Sequence, residues 1–342
     1  MKSLYTKLFI AGLLIINTLI LAQHLSKKTN PEDSGNLFVI KESKKCGYIN
    51  YNGELIIKPV YTAAGQFEGK LARVMQDSLW GFINTKGEFV ISPQFTIARD
   101  FSEGLAEVWI KDKHFYIDTL GEIVFETKFK NTGKFCNGLS KVYSNEGFTK
   151  GFMNNQGELV IPVKHLYAED FSEGLANISA KFLDVAGESV IEAKEYTILK
   201  GFSEGLAVVT LSNGSPAFIN KNGKVVICLD NLNISSAYSF SDGFAVVNDA
   251  GIDHKSGYIN KNGKLLIPCQ FAEANGFSEG LASARNDLDG LWGYINKRGD
   301  WVIKQRFTHV PSDGFKNGLA FIKENDKWGY INKKGEFIWQ EK

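Results

Sequence analysis

Apolar residues in this chain come in short runs that occupy both faces of the elements they predict. In Leu105-Ala-Glu-Val108 the leucine points to one side of an extended strand, while the alanine and valine point to the other. In Trp292-Gly-Tyr-Ile-Asn296 the two aromatic rings share a side and the isoleucine takes the opposite one. A strand with one wet face alternates apolar and polar positions. These strands do not, so each small sheet they build must be covered on both faces. The runs are too short for helices and are punctuated by glycine, which predicts an all-β chain of many short strands.

The pattern recurs. An aromatic stands at the centre of equivalent segments at Tyr48, Phe82, Tyr116, Phe152, Phe182, Phe218, Tyr258, Tyr294 and Tyr330, and a glycine follows five residues later in every copy. A second marker, Phe followed by a Gly-Leu-Ala-like step, recurs at Phe67, Phe101, Phe135, Phe171, Phe202, Phe240, Phe277 and Phe315. The period is about 35 residues, and a fixed period of that size is the signature of a repeat architecture. Each unit reads as strand A (Leu-Ala-x-Val), strand B (Trp-Gly-Tyr-Ile-Asn) and strand C, the last often ended by proline (Pro59, Pro93, Pro162, Pro268). The B–C connection, as in Asn296-Lys-Arg-Gly299, has the composition of a type I turn, with Asn capping its own backbone and Gly accepting positive φ. The segment after strand C has room for a short fourth strand. The expected fold is therefore all-β: nine tandem three-to-four-stranded β-meanders stacked like propeller blades. The first unit begins at strand A and the last ends after strand C, so a closed ring and an unclosed spiral both remain open.

The Trp-Gly-Tyr-Ile-Asn and Phe-Ser-Glu-Gly-Leu-Ala elements resemble those of the bacterial WG-repeat (KWG-repeat) family over about residues 33–342. Trp80, Trp292 and Trp328 keep the full Trp-Gly pair, whereas Cys46, His114, Lys150 and Ser256 replace the tryptophan elsewhere. Units 5 and 6 lack both residues. The resemblance implies a β-repeat architecture with a binding or surface role, and it brings no catalytic residues.

Composition adds limits. The 342 residues include 34 Gly and 25 Phe, matching many turns and many small cores, and the net charge is only +1. So even a balance leaves no electrostatic footprint for nucleic acid or anionic lipid. At the N-terminus, Lys2 and Lys7 precede an apolar run from Leu8 to Ala22. As a helix that run reaches about 22 Å, short of a hydrocarbon core of roughly 30 Å, which suits a signal peptide cleaved before Gln23. An uncleaved anchor is the alternative, and only this segment would touch a membrane. Residues 1–22 are thus assigned to the signal or anchor, 23–32 to a polar linker, and 33–342 to the repeat array.

Candidate chemistry is sparse. Gly201-Phe-Ser203-Glu-Gly205 and Gly276-Phe-Ser278-Glu-Gly280 match a nucleophile elbow, but that motif works on a strand-to-helix turn and the repeat predicts no helix. Glu103, Glu173, Glu204, Asp242 and Glu279 share one turn position, which suits carboxylates that satisfy backbone N–H groups. Asp287 and Asp289 resemble part of a calcium loop, yet Arg285 and Asn296 stand where ligands belong. The longest A–B loop, Asn248 to Ser256, carries Asp249, Asp253 and His254 and is the clearest departure from repetition. These five residues, Asp249, Asp253, His254, Asp287 and Asp289, are the candidate binding residues. No cofactor, metal or catalytic set is expected. Cys46, Cys136, Cys228 and Cys269 show no pairing register and are expected to be free, buried thiols. The chain reads as a non-enzymatic scaffold of the cell envelope or exterior, with a protein or glycan as partner. A propeller-type hydrolase with carboxylates near the axis and a structural spacer are the rival readings.

Overall fold

The computed structural model describes residues 35–193 and 195–342; the expected signal segment and linker lie outside them. Contacts divide the chain into Met1–Asn36 and Leu37–Lys342. The second unit holds nine antiparallel sheets, each a meander of consecutive strands, and one 3-10 turn at Asp230–Leu232. The sheets span 38–61, 63–95, 97–127, 132–165, 175–192, 196–228, 234–271, 273–307 and 319–340, and are numbered here as blades 1 to 9.

In a four-stranded blade a short leading strand precedes A, B and C. Blade 3 shows the order: Ile97–Ala98, Ala106–Ile110, Lys113–Ile117 and Ile123–Thr127. Blades 1, 5 and 9 have three named strands; in blades 5 and 9 the leading segment makes a single bridge, Ala168 to Ile178 and His309 to Lys323. Both faces of A and B are buried, as the two-sided pattern requires. Between blades 2 and 3, for example, Leu71, Phe82, Ile91 and Phe95 pack against Ala98, Phe101, Ala106, Val108 and Ile117. The B–C turn also forms as expected: Asn296 Oδ1 accepts from the N–H groups of Arg298 and Asp300, and Gly299 sits at φ +85°.

Strand C departs from the expectation. In blades 1, 2, 4 and 7 it does not stop at the proline, and blade 8, which has none, behaves alike. The strand continues for seven residues, as in Phe89–Phe95, with two extra residues bulged against strand B between Phe82↔Ile91 and Trp80↔Phe95. The Gly of Trp-Gly makes this possible. A Cβ on Gly81 would lie 2.6 Å from the Ile91 carbonyl oxygen, and one on Gly293 would lie 2.5 Å from that of Ile303. Blades 3, 5 and 6 carry Phe115, Lys181 and Ala217 at that position, and their C strands pair past it without that bulge. The bulge goes with the glycine and not with the tryptophan, since Cys46, Lys150 and Ser256 precede it in blades 1, 4 and 7; in blade 9 Gly329 pairs directly with Gln340 and strand C has no such bulge.

The ring closes. Phe38, Ile40 and Ile49 of blade 1 form one core with Leu319 and Tyr330 of blade 9. No strand is exchanged between them, in keeping with a sequence whose ends offer none. In blades 1 and 7 the strand-B tyrosine donates to the leading segment of the next blade, Tyr48 to Gly65 O at 2.7 Å and Tyr258 to Asn275 O at 2.8 Å. At the seam Tyr330 donates instead to Val39 O at 3.0 Å, on strand A itself, and accepts from Gln66 Nε2 at 3.1 Å.

Candidate functional site

The turn before strand A is a two-residue hairpin in which both central residues have positive φ, Glu103 at 50° and Gly104 at 85°. That twist matches the flanking strands and is the reason glycine takes the second position. Ser102 and Leu105 close the hairpin with reciprocal backbone hydrogen bonds. Each such turn then grips the next blade. Ser102 Oγ donates to Phe135 O at 2.7 Å, and Ser172, Ser203, Ser241 and Ser278 repeat the bond to Phe202, Phe240, Phe277 and Phe315. Ser203 and Ser278 are thus fixed donors of the repeat.

The acidic residue beside that serine completes the grip. Glu103 accepts from the N–H groups of Asn137 and Gly138, both at 2.8 Å. Glu173, Glu204, Asp242 and Glu279 accept from Gly205, Gly243, Gly280 and Gly318, and Asn137 serves Gly174 through its amide oxygen. In blades 6 to 9 a lysine from the B–C turn joins: Lys221 to Glu173, Lys261 to Glu204, Lys297 to Asp242 and Lys333 to Glu279, at 2.7–3.1 Å. Partial burial pushes the Glu173 carboxyl up, but Lys221 and the Gly205 N–H outweigh it and hold the group below the usual carboxylate range. Asp242 is lowered in the same way by Lys297 and Gly280 against burial. The carboxylates that a hydrolase would use are therefore bound into the scaffold.

The pattern fails between blades 2 and 3. Gly69 stands where the acid belongs, and Thr119 stands where the lysine belongs. The N–H groups of Glu103 and Gly104 have no partner among the described residues. A cavity of about 660 Å³ opens there, lined by Gly69, Lys70, Leu71, Val90, Phe101 and Lys134 among others. The sequence already displayed this gap, since aligning the eight turns that follow the Phe marker puts Gly69 against Glu103.

Blades 2 to 5 differ in a second way. The x of Leu-Ala-x-Val is Arg73, Glu107, Lys141 and Asn177 there, but Val208 and Val246 in blades 6 and 7. Arg73 pairs with Asp100 at 2.7 Å and Lys141 with Asp170 at 3.0 Å. Glu107 is only 3% exposed. Arg99 Nε lies 2.8 Å from it, but its N–H is not aimed at the carboxylate, whose oxygens make no hydrogen bond. Burial pushes the Glu107 carboxyl up, against the Thr132 hydroxyl and the Arg99 charge. Nearby Tyr116 donates to Thr132 Oγ1 at 2.7 Å, and burial pushes its phenol up to about 12.

The candidates from the sequence fall on the opposite end of the blades, where the A–B loops lie. Asp249 Oδ1 accepts from Gly251 and Lys255 N–H groups and so organises its own loop. Asp253 is exposed, and His254 lines a second cavity of about 600 Å³ with Lys200, Tyr238, Asn248, Glu273 and Asn275. Asp287 and Asp289 are exposed in the next A–B loop, where Asp287 O accepts from Gly290 N–H. Each loop tip carries an exposed aliphatic, Ile252 at 96% and Leu288 at 65%. Among the described residues no three His, Cys, Asp or Glu side chains converge as a metal set. The four cysteines are free, but Cys228 is exposed and Cys136 and Cys269 are half-buried, so only Cys46 is the buried thiol expected of all four. An exposed position on the last strand of blade 6 explains Cys228. No helix among the described residues is long and apolar enough to cross a membrane.

Comparison with solved structures finds a eukaryotic initiation factor with 11% identity and a TM-score of 0.56, covering 90% of this chain and 95% of that one. The computationally designed Ika8 protein aligns with 13% identity and a TM-score of 0.46 over 85% and 97% of the two chains. At such identities the likeness to the initiation factor concerns the fold alone. No curated protein matches the sequence. The WG-containing repeat matches at residues 47–80, 80–113, 115–146, 151–179, 257–287 and 292–328, skipping the stretch where blades 5 and 6 lose the Gly beneath strand C. These matches cover more than half of the sequence, and the chain belongs to the WG-repeat family.

Proposed function

We propose that this protein is a non-enzymatic binding scaffold of the cell envelope or exterior that holds a protein partner on the A–B loops of blades 7 and 8. The observation that carries this reading is the pair of neighbouring loop tips, where Ile252 and Leu288 stand in solvent beside Asp253, Asp287 and Asp289. An aliphatic left that exposed has no role in the fold, and apolar anchors rimmed by charge suit a protein surface. A glycan would favour exposed aromatic rings, which these tips lack. The location rests on the basic, then apolar, opening of the sequence.

A photo-crosslinking residue placed at Ile252 or Leu288 in cells should give a discrete adduct, while one at Val124, exposed on blade 3, should not. Replacing residues 249–255 by Asn-Gly should leave the melting temperature within about 2 °C, because the loop lies outside the core, and should abolish the adduct at Leu288. Absence of any adduct at both positions would overturn the reading.

A further inference from the structure

We propose that the cavity between blades 2 and 3 is a binding site for an organic carboxylate, which takes the place of the acidic side chain missing from blade 2. The site is on the opposite end of the blades from the loops above and does not depend on the partner proposed there.

The ring itself supplies the evidence for this ligand. From blade 2 onward there are seven junctions between successive turns, and at six of them an oxygen acceptor enters the N–H groups of the following hairpin. Five of these acceptors are carboxylates, from Glu103, Glu173, Glu204, Asp242 and Glu279, and the sixth is the Asn137 amide. Adjacent N–H groups in a left-handed turn make a concave anion receptor. At the seventh junction the receptor is built in the same way, with Glu103 at φ 50° and Gly104 at φ 85°, but Gly69 brings no acceptor to it. A Cβ on Gly69 would meet nothing within 4 Å, so the backbone there has room for the acidic side chain it lacks.

Charge and shape agree with an anion that has an apolar body. Lys70 and Lys134 line the cavity and have no ion-pair partner among the described residues. Glu68 and Glu103 also line the cavity, and the Glu103 carboxylate is turned to the Asn137 and Gly138 N–H groups of the next hairpin. Leu71, Val90 and Phe101 supply the apolar wall. At about 660 Å³ the space admits far more than a lone carboxyl group, and lies within the range of small-molecule sites. A short-chain carboxylic acid and the glutamate of a peptide offer the same chemistry to this receptor.

The test is a titration of the full-length, 15N-labelled protein followed at the Glu103 and Gly104 amides, using hexanoate, neutral hexanamide, and the capped peptide acetyl-Gly-Leu-Glu-Leu-Gly-amide. Both amides should shift with hexanoate and remain still with hexanamide. A shift with hexanoate but none with the peptide identifies the free acid as the source; a shift with the peptide identifies the side chain as admissible too. Gly69→Glu combined with Lys70→Gly rebuilds the Glu-Gly pair of blade 3, and should move both amides before any ligand is added and weaken hexanoate binding at least tenfold. Lys70→Gly alone leaves the receptor vacant but removes one of the two lysines beside it, and should weaken hexanoate binding less than the double variant does, without moving the two amides before ligand is added. If the wild-type amides ignore both carboxylates, or respond equally to hexanamide, the proposal fails without reference to any variant. It also fails if the double variant folds and binds hexanoate as the wild type does.

Discussion

Blades 6 to 8 and blades 2 to 4 use one backbone unit and seal it in two different ways. In the first group the strand-A positions facing the next blade are Val208, Val246 and Ser283, and the turns beneath are locked by an acid, a glycine N–H and a lysine. In the second group the same positions are Arg73, Glu107 and Lys141; Arg73 and Lys141 pair with residues near the next leading strand, Glu107 lies beside Arg99 of its own blade, and among the described residues no ion pair joins a B–C turn lysine to a turn acid. The difference shows that the repeat fixes the backbone crossings and leaves the polar contacts to vary. Between blades 2 and 3, where Arg73 pairs with Asp100 inside the junction, the turn below has no acid and a cavity opens.

The sharpest way to break this contrast is at Lys141, whose side chain is 11% exposed. Asp170→Ala would leave that ammonium buried and unpaired, and should cost about 3 kcal/mol in urea unfolding. Adding Lys141→Met makes blade 4 resemble blades 6 and 7, and should recover most of the loss. If the double variant remains as unstable as the single one, the two halves are not alternative solutions to one packing problem.

Glu107 gives an intermediate effect with a defined pH signature. Burial raises its carboxyl pKa in the folded state, so ionisation opposes folding. Wild-type stability should fall as pH rises through the unfolded value and level off above the folded one. Glu107→Gln should therefore melt higher than wild type at pH 7, with the gap narrowing as pH falls towards 4.5. A gap that is constant with pH would mean that the carboxylate is better compensated than its missing hydrogen bonds suggest.

The smallest effect belongs to the clasps. Glu173→Ala should cost about 1 kcal/mol, since the group is partly exposed and screened. Its folded pKa is lowered, so the stability it contributes should be present above the ordinary glutamate range and lost as pH falls through the folded value. The same substitution at an acid without a turn lysine, Glu103→Ala, should show a weaker dependence on salt in thermal melts.

Much of this was legible in the sequence because a period of about 35 residues repeats nine times, and two-sided apolar strands have few ways to hide both faces. The Asn-x-x-Gly turn was equally readable, being local. Closure was not, because it depends on Phe38, Ile40 and Ile49 meeting Leu319 and Tyr330 from the other end of the array. Nor was the continuation of strand C through Pro93, since the glycine that admits it lies on another strand. The turn acids were correctly read as backbone acceptors, yet their targets sit one blade away. Asp249 and His254 were singled out as an irregular loop; the structure shows that Asp249 holds that loop together.

The seam between blades 1 and 9 has one more implication. In a ring closed by a strand shared between the two chain ends, those ends must be matched to each other. Here the junction is side chain against side chain, so a tandem duplication or deletion of one 35-residue unit would deliver a whole sheet and leave the terminal units unaltered. Gene-level copy number could then drift in whole blades, with the curvature at each junction adjusting by a few degrees.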